Sequence, residues 1–250
     1  MWKEGKTLII ITGASRGYGQ EIAVQMAQKV AEPSFVLISR ALNDLKNTEK
    51  LCQEKNSKCQ IKLVQLDLQK AKKEDFEIPF DFKDFDSLVL VHNAGSLGNQ
   101  GTKVTEFDNE KEMADYFYLN VISVMILNSK VAKESEKIKN KLVINITSLA
   151  ALQPFETWGS YCSGKAARDS LFKCMAVEES DWKVLNWAPG PMETKMIEDL
   201  LADDKTHPNI RKAFEGMKGN FVACDKSVEK MIQVLDEDKF KSGDHVDFFD

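Results

Sequence analysis

The chain has 250 residues, a hydrophobic fraction of 43% and a formal net charge of −5 at pH 7. This length and composition suit one α/β domain with a sizeable core. The acidic balance argues against nucleic acid as a partner, because a phosphate backbone selects for a basic surface. The N-terminus lacks an apolar segment of signal-peptide length, and no apolar run approaches the roughly 18 residues of a membrane span. We therefore expect a cytoplasmic protein with no membrane partner.

The cysteines and histidines carry no sign of a metal site. The five cysteines form no CxxC pair, which indicates free thiols in a reducing compartment. The three histidines lie far apart, without the spacing of metal ligands, so we expect no metal.

Short apolar runs alternate with longer helical patterns along the chain. This alternation predicts βαβ units and a parallel sheet with helices on both faces. We expect a single domain over 1–250, a Rossmann-like, doubly wound α/β fold of about seven strands, with a helical substrate lid over 191–224. The predicted strands and helices, in chain order, are strand 7–12, helix 20–31, strand 34–40, helix 42–55, strands 60–68 and 86–95, helix 110–138, strand 141–148, helix 159–178, and strands 182–191 and 244–249.

A glycine-rich segment, TGASRGYG, lies at 12–19 between the first strand and the first helix. Glycines at this point permit a tight turn and let backbone amides approach a pyrophosphate at the helix N-terminus. The alternative is a glycine-rich turn that binds nothing. The segment supplies six candidate cofactor-binding residues: Gly13, Ser15, Arg16, Gly17, Tyr18 and Gly19.

The end of the second predicted strand indicates which dinucleotide is bound. An acidic residue there favours NAD, whereas arginine accommodates the 2′-phosphate of NADP. Here Ser39 and Arg40 occupy the position, and Arg16 can supply a second guanidinium. The chain has only four arginines against 30 lysines, and a planar guanidinium suits phosphate. We expect NADPH/NADP⁺, with two solvated surface arginines as the alternative.

Tyr161 and Lys165 are four residues apart, so they share one face of a predicted helix. A nearby cation lowers the pKa of a phenol, and a phenol tuned in this way can exchange a proton near neutral pH. With so many lysines, this spacing also arises readily by chance, so the pair needs support from the rest of the chain.

That support comes from the order of several short motifs. The chain resembles the short-chain dehydrogenase/reductase family over its whole length, and the resemblance implies an oxidoreductase. The matching elements after the glycine-rich segment are Asp67-Leu68, Asn93-Ala94-Gly95, Asn120, Ser148, Tyr161 with Lys165, Pro189-Gly190 and Thr194.

The resemblance implies a role for each matching residue. Tyr161 would donate a proton to a substrate carbonyl that Ser148 orients, and Lys165 would lower the pKa of the phenol and hold the nicotinamide ribose. Asn120 would hold a water that links Lys165 to solvent. Asn120 and Asp67 also belong to residue types that cap helices and turns, which is their structural alternative. The cofactor contacts implied elsewhere are Asp67, Leu68, Asn93, Ala94, Gly95, Pro189, Gly190 and Thr194.

A narrower resemblance, to the pterin-reducing members of the family, extends to the C-terminal FKSGDHVDFFD. It implies that Asp247 anchors a pterin, and a carboxylate can accept the ring N–H and amino group side by side. Residues 41–85 and 197–224 match this group poorly. Asp247 can equally be one of several acidic residues near the chain end. Candidate apolar walls for a flat ring, each equally suited to the core, are Leu97, Leu149, Trp158, Met192 and Met196.

These observations predict an NADPH-dependent carbonyl reductase that reduces side-chain ketones of 6-substituted pterins, as in tetrahydrobiopterin biosynthesis. One alternative is a broad-specificity reductase of dicarbonyls or quinones without a pterin role. Another is a non-catalytic NADP-binding regulatory protein. The resemblance also implies a homodimer, formed through the helix near 110–136 and the Tyr161 helix. Apolar positions there (Phe117, Val121, Val124, Leu171 and Met175) suit either a dimer interface or a monomer core.

Overall fold

The computed structural model describes residues 2–3, 5–204 and 206–250. Seven parallel strands form one sheet in the order β3-β2-β1-β4-β5-β6-β7, which confirms the predicted fold class. The strands are β1 (Lys6–Thr12), β2 (Glu32–Ser39), β3 (Gln60–Gln65), β4 (Ser87–His92), β5 (Asn140–Ile146), β6 (Trp182–Ala188) and β7 (His245–Asp247). The helices are α1 (Gly17–Lys29), α2 (Leu42–Lys55), α3 (Glu110–Phe117), α4 (Ser123–Glu134), α5 (Gly159–Glu178), α6 (Lys195–Ala202), α7 (Pro208–Gly216) and α8 (Cys224–Glu237).

Each strand of the sheet centre is buried on both faces. In β1, Ile9 and Ile11 pack with α1, α2 and α8, whereas Leu8 and Ile10 pack on the opposite face, with α4 and α5. Alternate residues of a strand point to opposite faces, so an unbroken apolar run serves both layers. The chain leaves β1 toward β2 on one side and returns to β4 on the other. The carboxyl ends of β1 and β4 therefore flank the crevice where ligands bind in such sheets.

The predicted helix over 110–138 is two helices, α3 and α4, joined by a π-helical turn at Tyr118–Ile122. Such turns are frequent at functional sites because they redirect one side chain within a helix. Helix α8 was absent from the prediction, although Val228, Met231, Ile232 and Leu235 have helical apolar spacing and are buried.

The segment 191–224 contains α6 and α7 and returns close to where it begins. Met192 and Val222 form an isolated parallel bridge, and Val222 N donates to Pro191 O at 2.8 Å. Among the described residues, no helix is long and apolar enough to cross a membrane.

Candidate active site

The glycine-rich turn approaches the loop after β4 so closely that a side chain would not fit. Gly13 has φ +68°, and a Cβ there would lie 2.9 Å from Asn93 Nδ2 and 3.1 Å from Ala94 Cα. A Cβ on Gly19 would lie 2.4 Å from Gly13 O. The glycines therefore let two loops touch at the carboxyl edge of the sheet.

The side chain of Thr12, the last residue of β1, binds the loop that follows β4. Its Oγ1 accepts from the backbone N–H groups of Asn93 and Ala94, both at 3.1 Å, and Asn93 Nδ2 donates to Thr12 O at 3.0 Å and Gly13 O at 3.2 Å. Asn93, Ala94 and Gly95 thus lie beside the glycine-rich turn. Thr12 was not among the residues predicted for the site. Its signal was a hydroxyl at the end of an apolar strand.

The prediction that Tyr18 binds the cofactor needs a partial correction. Its side chain is buried in the core behind the turn, where its oxygen accepts from Trp187 Nε1 at 2.7 Å and shares a 3.0 Å hydrogen bond with Ser227 Oγ. Burial raises the pKa of this phenol. Only the backbone of Tyr18 is placed to serve a ligand.

The carboxyl end of β2 is joined to the same turn. Ser39 Oγ donates to Ser15 Oγ at 2.9 Å, and Arg16 and Arg40 are both exposed on this edge. After β3, Asp67 Oδ1 accepts from the backbone N–H of Gln69.

Leu68 needs correction as a cofactor contact. Its side chain is buried in the core layer of α4 and α5, because it completes the apolar surface beneath β2. Its backbone alone lies at the loop.

Asn120 lies within the π-helical turn, and backbone groups hold its amide on both sides. Nδ2 donates to Tyr116 O at 2.9 Å, a carbonyl one helical turn back, and Oδ1 accepts from Ser96 N at 2.9 Å. The side chain is therefore fixed between α3 and the loop that follows β4.

Tyr161, Ser148 and Lys165 converge where β5 meets α5. Tyr161 is buried and hydrogen-bonded to the Ser148 side chain, and Ser148 Oγ also accepts from Ala150 N. Lys165 Nζ donates to Ile146 O at 2.7 Å and lies 5.6 Å from the centroid of the Tyr161 ring.

The protonation of this pair differs from the sequence expectation. Burial raises the pKa of Tyr161 to about 12, outweighing the opposite effects of the Ser148 hydrogen bond and the Arg168 charge. Burial, reinforced by Arg168, holds the pKa of Lys165 well below its usual range. The pKa of Tyr161 is thus raised rather than depressed in this structure, because desolvation outweighs the effects of its neighbours. Tyr161 keeps its proton at neutral pH.

The residues predicted to form apolar walls around a flat ring lie in three different environments. Leu97 and Trp158 pack with Tyr161 in one small apolar cluster, together with Ile197, Leu200 and Ile210 of the 191–224 segment. Leu149 and Met196 are 46% and 37% exposed, so both are free to line an open cleft. Met192 instead packs against the core layer of α1 and α8.

Three aromatic residues belong to this wall but were not predicted. Trp158 lies 5.7 Å from Phe214 with the rings nearly parallel, and Phe155 and Phe221 extend the row. Phe214 and Phe221 lie in the weakly patterned 191–224 segment, so the sequence signalled them only as isolated aromatics in a polar stretch.

Asp247 lies at the carboxyl end of β7, paired in register with Ala188. Its Oδ1 accepts from Phe249 N at 3.1 Å. Pro189 and Gly190 follow Ala188 directly, and Thr194 immediately precedes α6. A Cβ on Gly190 would lie 3.0 Å from Val222 Cγ2 and 3.6 Å from Phe248 Cβ, so these segments meet at one edge of the sheet.

A family model described as short chain dehydrogenase matches residues 7–205. The chain belongs to this family. It is 35% identical over 256 residues to a sepiapterin reductase of Xenopus tropicalis, covering 98% of this chain and 97% of the relative. It is 29% identical over 250 residues to a benzil reductase of Bacillus cereus, covering 94% and 96%. The solved structure of the KRED1-Pglu enzyme has a TM-score of 0.84 at 24% identity, covering 96% of this chain and 100% of that one.

As a short-chain dehydrogenase, the chain is an oxidoreductase that acts on carbonyl or alcohol groups of a small molecule with a nicotinamide cofactor. The residues present fit such a dinucleotide. A Cβ on Gly17 would meet no atom within 4 Å, and α1 begins without an acidic residue or a side-chain cap, so its first N–H groups are open to a phosphate. Within the described residues, no group of three His, Cys, Asp or Glu side chains could hold a metal ion.

Proposed function

We propose that this protein is an NADPH-dependent carbonyl reductase whose substrates are 6-substituted pterins with side-chain ketones. The observation that carries the proposal is the buried Tyr161, hydrogen-bonded to Ser148 beside Lys165 at the carboxyl edge of the sheet. The similarity to a sepiapterin reductase along almost the whole chain supports the pterin as substrate.

The cofactor would be held by residues from five loops and would supply the hydride. Backbone amides of the glycine-rich turn would receive the pyrophosphate, and the exposed Arg16 and Arg40 would pair with a 2′-phosphate. Lys165 would hold the ribose hydroxyls near the nicotinamide. The other contacts proposed are the Asp67 turn, the backbone of Asn93, Ala94 and Gly95, the Pro189-Gly190 turn and Thr194.

The side chains of this site act on the substrate oxygen. Ser148 and Tyr161 aim two hydroxyl donors at the carbonyl, and these stabilise the negative charge that grows on its oxygen. The raised pKa keeps the proton on Tyr161 Oη until that charge develops. The proton then passes to the substrate oxygen. Lys165 and Asn120 would resupply it from solvent.

Asp247 would select the pterin. Its carboxylate lies on the strand next to β6, at the edge from which Pro189 and Gly190 emerge. A carboxylate accepts two parallel N–H bonds, the pattern that the 2-amino group and ring N–H of a pterin present.

We further propose that 191–224 is a lid, since Phe214 stacks on Trp158 beside Tyr161.

The test measures NADPH consumption by the purified protein with sepiapterin and, separately, with a simple diketone. We expect Asp247→Asn to lose most sepiapterin reduction while keeping the diketone, since only the pterin uses the carboxylate. Asp244→Asn, which changes an exposed acid just before β7, is the matched control and should keep both activities. Equal loss of both substrates, or no loss, would refute the assignment of Asp247.

The second candidate is a broad reductase of dicarbonyls or quinones, which the similarity to a benzil reductase favours. Reduction of the diketone with no reduction of sepiapterin would select this second candidate.

The third candidate is a non-catalytic NADP-binding protein. Tyr161→Phe, which leaves the ring in place, should bind NADPH and lose turnover, and this result excludes a purely regulatory role.

We also propose a cytoplasmic homodimer formed through α4 and α5. Val124 and Met175 pack in the monomer core, so the interface must use the outer faces of these helices, where Ile122, Met125 and Val177 are exposed. Sedimentation at several concentrations, with Val177→Glu as the disrupting variant, tests this state.

A further inference from the structure

Arg168 is the residue of the catalytic helix that the proposed mechanism leaves without a role. It is 0% exposed, although arginine is rarely buried completely. It lies seven residues after Tyr161 and three after Lys165 in α5, so all three side chains lie on one face of the helix.

The guanidinium joins α5 to two segments beside the site, strand β5 and the end of β4 with the loop that follows it. Nε donates to Asn145 Oδ1 on β5 at 2.8 Å, Nη1 donates to Ala94 O at 3.1 Å, and Nη2 donates to His92 O at the end of β4. Ala94 belongs to the loop that borders the cofactor cleft. One planar group thereby holds that loop against the helix that carries Tyr161.

The acceptors of Arg168 are neutral, and the neighbouring carboxylate is engaged elsewhere. Asp169 Oδ2 is 2.6 Å from His245 Nδ1, and its Oδ1 accepts from Asn145 Nδ2 at 3.2 Å. The Asp169 charge therefore acts on Arg168 and Lys165 from a distance and only partly offsets the effect of burial, which lowers the pKa of both groups. The other titratable groups around it are Tyr116 from α3, His92 from β4, and Tyr161, Cys162, Lys165 and Asp169 from α5.

We propose that Arg168 is a positioning residue for the reductase reaction, holding the Ala94 loop against α5 and placing a positive charge behind Tyr161 and Lys165. This charge stabilises the phenolate that remains after Tyr161 gives up its proton. It also repels the proton on Lys165, which eases its transfer toward Tyr161. The same charge lowers the pKa of both Tyr161 and Lys165 in this structure.

The inference rests on the proposed role of Tyr161 as proton donor, and the pH dependence of kcat/KM tests it. Ketone reduction requires protonated Tyr161, so activity falls as the pH rises through the pKa of the phenol. Arg168→Gln keeps amide donors for the carbonyls but removes the charge. We expect its alkaline limb to move to higher pH by about one unit, the lower end of the effect of a close charge.

Arg168→Lys tests the other half of the proposal. It keeps a cation but cannot span three acceptors, so we expect a wild-type alkaline limb with kcat reduced about tenfold or more, as for a loss of orientation. Arg211→Met is the matched control. Arg211 also donates to two backbone carbonyls, those of Leu201 and Asp203, but lies in the 191–224 segment. The alkaline limb of kcat/KM for Arg211→Met should therefore match that of the wild type.

The outcomes separate this inference from the proposed function. If Tyr161→Phe keeps turnover, the proposed proton donor is wrong. If Tyr161→Phe abolishes turnover while folded Arg168→Gln keeps the alkaline limb of the wild type, only the proposed effect of the Arg168 charge is refuted. If Arg168→Lys keeps the wild-type kcat, the role of the guanidinium fork is refuted. Circular dichroism and NADPH fluorescence establish that each variant is folded, and Arg168→Met replaces the Gln variant if that one does not fold.

Discussion

His92 should make the protein lose stability in mild acid. The imidazole is fully buried beneath the Ala94 loop, 3.4 Å from Asn128 Oδ1 and 5.2 Å from the Phe172 ring. Burial, reinforced by the Arg168 charge, lowers the pKa of His92 from 6.5 to about 3. The unfolded chain therefore binds this proton first as the pH falls, and stability is lost from about pH 6.5 downward.

The size of the effect follows from the gap between the two pKa values. At pH 5 the folded imidazole is still neutral, whereas the unfolded one is charged. The cost is 1.36 kcal/mol for each pH unit below the unfolded value, or about 2 kcal/mol at pH 5. The result at pH 5 is the same for any folded pKa below about 4, because the folded state binds no proton in either case.

Urea unfolding of wild type and His92→Gln at pH 7.5 and pH 5 measures this effect. Carboxylates titrate in both proteins, so the prediction concerns the difference between them: the advantage of wild type should shrink by about 2 kcal/mol at pH 5. Phe172→Leu, which removes core volume beside His92 without removing a titratable group, should show the same offset at both pH values. A wild-type advantage that does not change with pH would refute a buried, neutral His92.

Two further substitutions test the glycine-rich turn and the core behind it. Gly19→Ala would place a Cβ 2.4 Å from Gly13 O, and the resulting overpacking of about 1–3 kcal/mol should weaken NADPH binding about tenfold by fluorescence titration. Gly216→Ala, where a Cβ meets no atom within 4 Å, should bind normally. Tyr18→Phe leaves Trp187 Nε1 without its acceptor, so urea unfolding should show a loss of about 1–3 kcal/mol with kcat unchanged; a fall in kcat would instead place the Tyr18 hydroxyl in the reaction.

The strands and the helices around the sheet were predictable because each is a local pattern. The apolar runs of β1 and β4 are bounded by turn residues, and α5 was predicted at its observed bounds, 159–178. The order of short motifs likewise predicted that the segments bearing Tyr161, Lys165 and Asn93 meet at one edge. Parallel strands bring their carboxyl ends together whatever lies between them.

The rest depends on contacts between distant segments. The direction of the Tyr18 side chain is set by Trp187, 169 residues away. No residue pattern in the sequence marks the π-helical turn at Asn120. The turn accompanies two hydrogen bonds of the Asn120 amide, to Tyr116 O and from Ser96 N. The protonation of Tyr161 is governed by how deeply it is buried, which spacing along a helix cannot reveal.

The bridge between Met192 and Val222 brings the two ends of the 191–224 segment together. A segment whose two ends touch can be exchanged without moving the sheet or the Tyr161 helix, since the chain leaves and re-enters at the same place. Transplanting 195–221 from another family member, which leaves Thr194 in place, should therefore give a chimaera with unchanged catalytic machinery and a new choice of ketone. Substrate preference in this scaffold would then diverge within one exchangeable segment, beside the selection that we propose for Asp247.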